Sequence, residues 1–250
     1  MERIRRRGVA EVEAIGKAGE KVRLDFKQGI KDCIPTLLGY ISIGIAAGVV
    51  GVAAGMSALE VALLAVLVYA GSAQFIFAAL LLDGSPVAAI ILTTFIVNLR
   101  HFLMSATLAP HFTRYSIGRN IWIGILLTDE TFGVAAGKVQ QKQPMSASWM
   151  NGLNITAYLC WIMACTAGAL VGNWIAEPEM FGLDFALTAM FLALLVLQLD
   201  AVESVKIKHY LKLVLYIAVL MLVLSCFMTS HMAVLLATII GATIGVITEK

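Results

Sequence analysis

The hydrophobic pattern divides the chain in two. Residues 1–31 are polar and mixed in charge, and from Ile34 onward long apolar stretches alternate with short polar breaks. A bilayer core of about 30 Å takes roughly 20 predominantly apolar residues per helix. On that measure eight segments read as spans: 34–54, 58–82, 86–109, 121–137, 149–175, 183–199, 211–228 and 231–248. Turn signals separate several of them, namely Asp83-Gly84-Ser85-Pro86, Pro110, Pro144 and Glu177-Pro178-Glu179. The predicted fold class is all-α, a polytopic transmembrane bundle of about eight helices. A basic leader over 1–31 precedes a single membrane domain over 32–250. Phe26 and Ile30, four apart, suit a short interfacial helical turn at the entrance to the first span.

Composition points the same way. The chain is 60% hydrophobic and 14% charged with a mean hydropathy of +0.90, against about 25% charged residues in soluble domains. One soluble core of this size could not cover so much apolar surface. No apolar signal-peptide core precedes Ile34. Cys33, Cys160, Cys165 and Cys226 form no CxxC or Cys/His cluster, so neither a disulfide framework nor a metal site is signalled, and no cofactor motif is found. The net charge of +2 gives no reason to expect nucleic acid as a partner. Arg3, Arg5, Arg6, Arg7, Lys17, Lys21, Arg23, Lys27 and Lys31 make the leader a candidate anchor on anionic lipid, or a solvated tail.

Charge also sets the predicted topology. The segment at 121–137 is the least apolar, because Asp129 and Glu130 lie inside it. With eight spans and a cytoplasmic N-terminus, Lys138, Lys142, Lys206, Lys208, Lys212 and Lys250 join the leader inside, and outer loops hold only Arg114 and Arg119. Dropping the fourth span alone would put the Lys206–Lys212 stretch outside, against the excess of Lys and Arg in cytoplasmic loops. The expectation is therefore that the fourth segment crosses and both termini are cytoplasmic. A Gly-rich helix precedes Gly55-Met56-Ser57 and another precedes Gly182-Leu183-Asp184, an echo compatible with a parallel duplication into halves 32–138 and 148–248.

The informative chemistry is polarity inside apolar helices. A charge at mid-bilayer costs about 2.5–3.5 kcal/mol on insertion scales and persists where it faces protein or water. Asn98-Leu99-Arg100-His101 interrupts the third span, and Thr128-Asp129-Glu130-Thr131 the fourth. Arg100 precedes Pro110 by as many residues as Asp129 follows Arg119, which puts both at about the same depth in antiparallel neighbours. An Arg100–Asp129 or Arg100–Glu130 pair is expected, either as part of a solute site or proton relay or as an ion pair that fixes helix register. In the second span Gly71-Ser72-Ala73-Gln74 combines small residues with an amide that needs partners, and Gly71 and Ser72 are candidates for an unwound stretch. The candidate substrate-binding or ion-coupling residues are Ser72, Gln74, Asn98, Arg100, His101, Asp129 and Glu130. Asn154-Ile155-Thr156 matches a glycosylation sequon by chance inside a span. No nucleotide-binding, HExxH or GxSxG motif is found, so an enzyme is not expected. A channel or transporter for another small solute, a binding-only subunit and, at the margin, a membrane-embedded enzyme with a nucleophilic set of His101, Asp129 and Ser72 stay open as alternatives.

The order of Pro35-Thr36-Leu37-Leu38-Gly39-Tyr40, Ala70-Gly71-Ser72-Ala73-Gln74-Phe75, Asn98-Leu99-Arg100-His101-Phe102-Leu103-Met104-Ser105 and Thr128-Asp129-Glu130 resembles the AzlC/YgaZ family over roughly residues 26–200. That family comprises the large subunits of bacterial branched-chain amino acid exporters. The resemblance implies a multi-pass protein of the bacterial cytoplasmic membrane that exports apolar amino acids such as valine, leucine, isoleucine or methionine. It also implies a small hydrophobic partner subunit of the AzlD/YgaH type.

Overall fold

The computed structural model describes residues 2–172, 174, 192, 195, 196, 199, 207–228 and 230–248, with side chains from 25 to 172 and for most of the later ones; all but four positions of the predicted sixth span, 183–199, lie outside the described residues. The described elements are helical. α1 covers Glu2–Ala53, of which Asp25–Ala53 is apolar and long enough to cross a membrane. α2 (Ala58–Leu67), α3 (Gly71–Leu82), α4 (Val87–Leu108), α5 (Ile117–Ile125), α6 (Asp129–Gln140) and α7 (Ala147–Gly172) follow. α8 (Ile207–Ser225) and α9 (Ser230–Thr248) pack against each other, with His209 beside Thr248 at one end. Many large apolar side chains face outward, Leu38 at 75% and Phe102 at 70% exposure among them, as a bilayer solvent allows.

α1 and α7 form the frame, the most extensive contact between any two elements. Small residues let their backbones touch. A Cβ built on Gly48 would lie 2.1 Å from the Cys165 carbonyl oxygen, and one on Gly168 would lie 2.2 Å from that of Ile45. The same reciprocal pattern recurs lower down, where Gly29 meets the Trp149 carbonyl and Gly152 that of Phe26. Low numbers meet low and high meet high, so the two helices run parallel. Approach of this kind is how helices associate where lipid removes the hydrophobic drive between them. We call the end at Gly29 and Trp149 the near end, and the end at Ala53 and Gly172 the far end.

The remaining elements are placed by their contacts with this frame. α2 starts at the far end, held by a capping box between Ser57 and Glu60, with Val61 against Gly51. It descends to half depth, where the Tyr158 hydroxyl donates to the Val66 carbonyl. The chain breaks at residues 68–70, and α3 climbs back from Ser72 to the turn at Gly84. α4 then descends the full distance, bringing Phe112 beside Asn120 and Tyr115 beside Ala147 at the near end. α5 rises from there until the Ile123 carbonyl accepts from Asn154 of α7. After a second break at 126–128, α6 returns to the near end, where Lys138 lies 3.5 Å from Asp32.

The predicted second and fourth spans are therefore hairpins, not single crossings. Their limbs of 10 and 12, and of 9 and 12, residues reach at most about 18 Å at 1.5 Å per residue, short of a 30 Å core. Among the described residues four helices are long and apolar enough to cross: α1 from Asp25, α4 with the turn after it, α7 and α8. A long helix followed by a hairpin thus occurs twice, as α1–α3 and α4–α6, in opposite senses. The two basic residues expected outside, Arg114 and Arg119, fall at the near end, where Arg114 donates to the Met145 carbonyl.

Cysteines introduced at Ser116 and Gln143 should react with an impermeant reagent from the same face of the membrane, and one at Asp83 from the other; an eight-crossing chain would put Ser116 and Gln143 on opposite faces. Gly168→Ala should destabilise the folded protein by about 2 kcal/mol through overpacking. Gly133→Ala, where a Cβ meets nothing within 4 Å, should stay within about 0.5 kcal/mol. Thermal melts in detergent check both.

Candidate functional site

The two hairpin tips meet at half depth. Each break leaves a half-helix whose first N–H groups and preceding carbonyls lack helical partners, and long-helix side chains supply some of them. α7 caps the ends of both first limbs, Tyr158 at α2 and Asn154 at α5. His101 Nδ1 lies 2.9 Å from the Leu127 carbonyl, so that nitrogen donates. Asn154, dismissed from the sequence as a chance sequon, therefore has a structural role.

The two second limbs start differently. α6 begins with a capping box in which Thr128 and Thr131 satisfy each other's backbone, followed by Asp129 and Glu130 in the first turn. Acidic residues suit the positive end of the helix dipole. α3 begins at Ala70 with no side-chain cap. Just before it Tyr69 holds φ at +45°, a left-handed conformation uncommon for a bulky residue and often found at functional sites.

Arg100 of α4 stands between the two starts. Its Nη2 lies 2.9 Å from Asp129 Oδ2 and also donates to the Ser72 hydroxyl, so one guanidinium joins both tips. Arg100 and Asp129 side chains retain 26% and 15% exposure, an intermediate burial in which removing one partner still leaves an ill-solvated charge on the other. Glu130 has no cation partner among the described residues; the Tyr40 hydroxyl donates to it at 3.1 Å and also contacts Thr128. The Tyr69 hydroxyl lies beside these groups without a hydrogen bond of ordinary geometry, and Arg100 Nε and His101 Nε2 are likewise without partners. Tyr40 and Trp161, edge to face at 5.7 Å, close the side toward the frame.

Five of the seven candidates thus converge on one cavity: Ser72, Arg100, His101, Asp129 and Glu130. Gln74 does not; its Oε1 accepts from Trp161 Nε1 at 3.0 Å and pins α3 to α7. Asn98 does not line the cavity either, and its Oδ1 is buried without a partner. Tyr40, Tyr69 and Trp161 line it and were not among the candidates. The enclosed space is small: about 20 Å3 is open to the centres of water molecules, room for water and not for an amino acid. Anything larger must part the groups that close it.

A multi-pass helical membrane protein with a charged site between two interrupted helices is the class these features define. The sequence pattern of the AzlC protein family matches residues 35–175, and the chain belongs to that family. It is similar to the inner membrane protein YgaZ of Escherichia coli (strain K12), 29% identical over 184 residues that cover 72% of this chain and 75% of the relative. It is also similar to an uncharacterized membrane protein of Archaeoglobus fulgidus, 28% identical with 68% and 74% covered. The branched-chain amino acid transport protein AzlC of Bacillus subtilis (strain 168) is 25% identical, with 69% and 67% covered. No solved structure matches the chain.

A double-mutant cycle should assign the partner of Arg100. Arg100→Gln and Asp129→Asn should couple by about 1.5–3 kcal/mol in thermal melts, and Arg100→Gln and Glu130→Gln by under about 0.5 kcal/mol. Equal coupling to both acids would contradict the geometry.

Proposed function

We propose that this protein is a secondary transporter that moves branched-chain or similar apolar amino acids (valine, leucine, isoleucine, methionine) out of the cell. The observation that carries the reading is the Arg100–Asp129 pair set between the two half-helix starts. A zwitterion is a natural wedge for such a pair. Its carboxylate takes the guanidinium, by bidentate hydrogen bonds, together with the uncapped first turn of α3. Its ammonium takes Asp129 or Glu130. Each charge exchanges one partner for another and none is left bare, so the cost of parting a buried pair is largely recovered. Ile43 and the rings of Tyr69 and Trp161 offer the side chain an apolar wall. The name of the Bacillus subtilis relative supports the substrate class.

The near end is assigned to the cytoplasm. Lys27, Lys31, Arg114, Arg119, Lys138 and Lys142 gather there, whereas the far-end turns at 54–57 and 83–86 hold no basic residue, in keeping with the positive-inside rule. Two hairpins in place of two of the eight expected crossings leave the number even, which keeps both termini inside. The direction of transport and a small AzlD-like partner subunit rest on family membership. The sequence has no nucleotide-binding motif, so the energy is assigned to an ion gradient, the substrate gradient or another subunit.

The rival readings have less support. Polarity clusters at one depth instead of lining a continuous pore, which speaks against a channel. Ser72 is bonded to Arg100 and His101 Nδ1 to a backbone carbonyl, so the Ser–His–Asp set that a hydrolase needs is not assembled.

Cells lacking the protein and fed valine- or methionine-containing dipeptides should retain more of the free amino acid. Arg100→Ala, present in the membrane at normal amounts, should export about tenfold more slowly or worse. Unchanged retention across all apolar amino acids, with and without a candidate small subunit, would sink the substrate assignment.

A further inference from the structure

We propose that the two hairpins are gates to opposite faces of the membrane, and that Arg100 is the positioning residue that latches both. The inference builds on the transporter reading and names how its site is reached. Among the described residues, α2–α3 lies between the site and the far end, and α5–α6 between the site and the near end. The limbs are short, and glycines at positive φ, Gly55 at +89° and Gly84 at +65°, flank the far hairpin where it leaves α1 and joins α4. Few-residue hinges of this kind let a hairpin swing without remaking its helices. The frame of α1 and α7, in backbone contact along its length, offers no such freedom.

The tips are tied at the site itself. Ser72 holds the far tip to Arg100, and Asp129 holds the near tip to the same Nη2. A guanidinium that follows one tip outward lets go of the other. Opening one gate therefore leaves the other with its remaining ties to the frame: Gln74 to Trp161 and Tyr158 to Val66 at the far tip, Tyr40 to Glu130 and Asn154 to Ile123 at the near tip. A solute carboxylate that engages Arg100 competes with both ties at once, so occupancy of the site unlatches the gates.

The test reads sidedness and needs no substrate. In the full chain with Cys33, Cys160, Cys165 and Cys226 replaced by alanine, Ile43→Cys on α1 reports access to the cavity. An impermeant thiol reagent is applied to right-side-out and to inside-out membrane vesicles. Ser105→Cys with Gly124→Cys locks the near hairpin to α4, since a Cβ on Gly124 lies 3.6 Å from that of Ser105, within disulfide range. Gly51→Cys with Val61→Cys locks α2 to α1. The near lock should leave labelling from the far face only, and the far lock from the near face only. Without locks, Ser72→Ala should raise far-face labelling, and Asp129→Asn near-face labelling, each by about tenfold. A reporter that reacts from neither face without locks would overturn the proposal. So would a lock that leaves labelling from both faces unchanged, or two variants that raise it from the same face. A chain that exports no amino acid but passes this test loses its substrate and keeps its gates, so the two failures are distinguishable.

Discussion

A helix that stops halfway through a bilayer leaves backbone donors and acceptors where no water can take them, and the architecture of this site follows from how two such stops are resolved. The start of α6 is satisfied locally by Thr128 and Thr131, and the acids that suit a helix start then require a cation. The start of α3 has no cap of its own, and Ser72 there reaches the same cation. Arg100 thus answers the acids of α6 and ties the α3 start through the Ser72 hydroxyl, while the first N–H groups of α3, which a guanidinium cannot cap, stay uncapped. Both ties run to one nitrogen, Nη2, and Nε of the same guanidinium has no partner.

The first limbs are resolved by the frame. Tyr158 and Asn154 lie four residues apart on one face of α7, and each takes a carbonyl at the end of a first limb, one from each hairpin. The close packing of α1 on α7 is therefore coupled to the site. It fixes the face of α7 that presents these caps, and it places Tyr40 of α1 opposite Trp161, within reach of Glu130. A shift in the register of the two glycine-rich helices would uncap both hairpins together.

Much of this was legible in the sequence, because charge in an apolar run is costly enough to be informative. The pairing of Arg100 with an acid of the 128–131 stretch followed from matched depth alone. What the sequence hid was the turn-back of two segments. Mean hydropathy over 58–82 is insensitive to a three-residue break, and the loop charges, which speak against the loss of one crossing, are compatible with the loss of two. Removing both keeps the Lys206–Lys212 stretch inside and brings Arg114 and Arg119 to the basic side as well. One overlooked signal was Thr-Asp-Glu-Thr in mid-run, which reads as a helix start. The left-handed Tyr69 left no such trace, since nothing in Val68-Tyr69-Ala70 asks for positive φ. Gln74 stands out as an amide that needs partners and Asn98 as a polar neighbour of Arg100, and neither trait can tell a ligand site from helix packing; Gln74 finds its partner in Trp161.

The unequal starts of α3 and α6 give the cavity a direction. One pole has the bare N–H groups of α3 and a guanidinium; the other has two carboxylates and a tyrosine hydroxyl. A zwitterion aligned with that axis runs from one hairpin tip to the other, which directs its side chain sideways, toward Ile43 and Trp161 on the frame. Selection by charge and selection by side chain would then fall on different elements. The moving hairpins would demand an α-amino acid, and the fixed helices would set how bulky and how apolar it is. A wall of that kind discriminates weakly, by about 1–3 kcal/mol per methylene. For the proposed substrates, tolerance across valine, leucine, isoleucine and methionine is then the expected behaviour, since a wall at Ile43 and Trp161 separates them only by bulk.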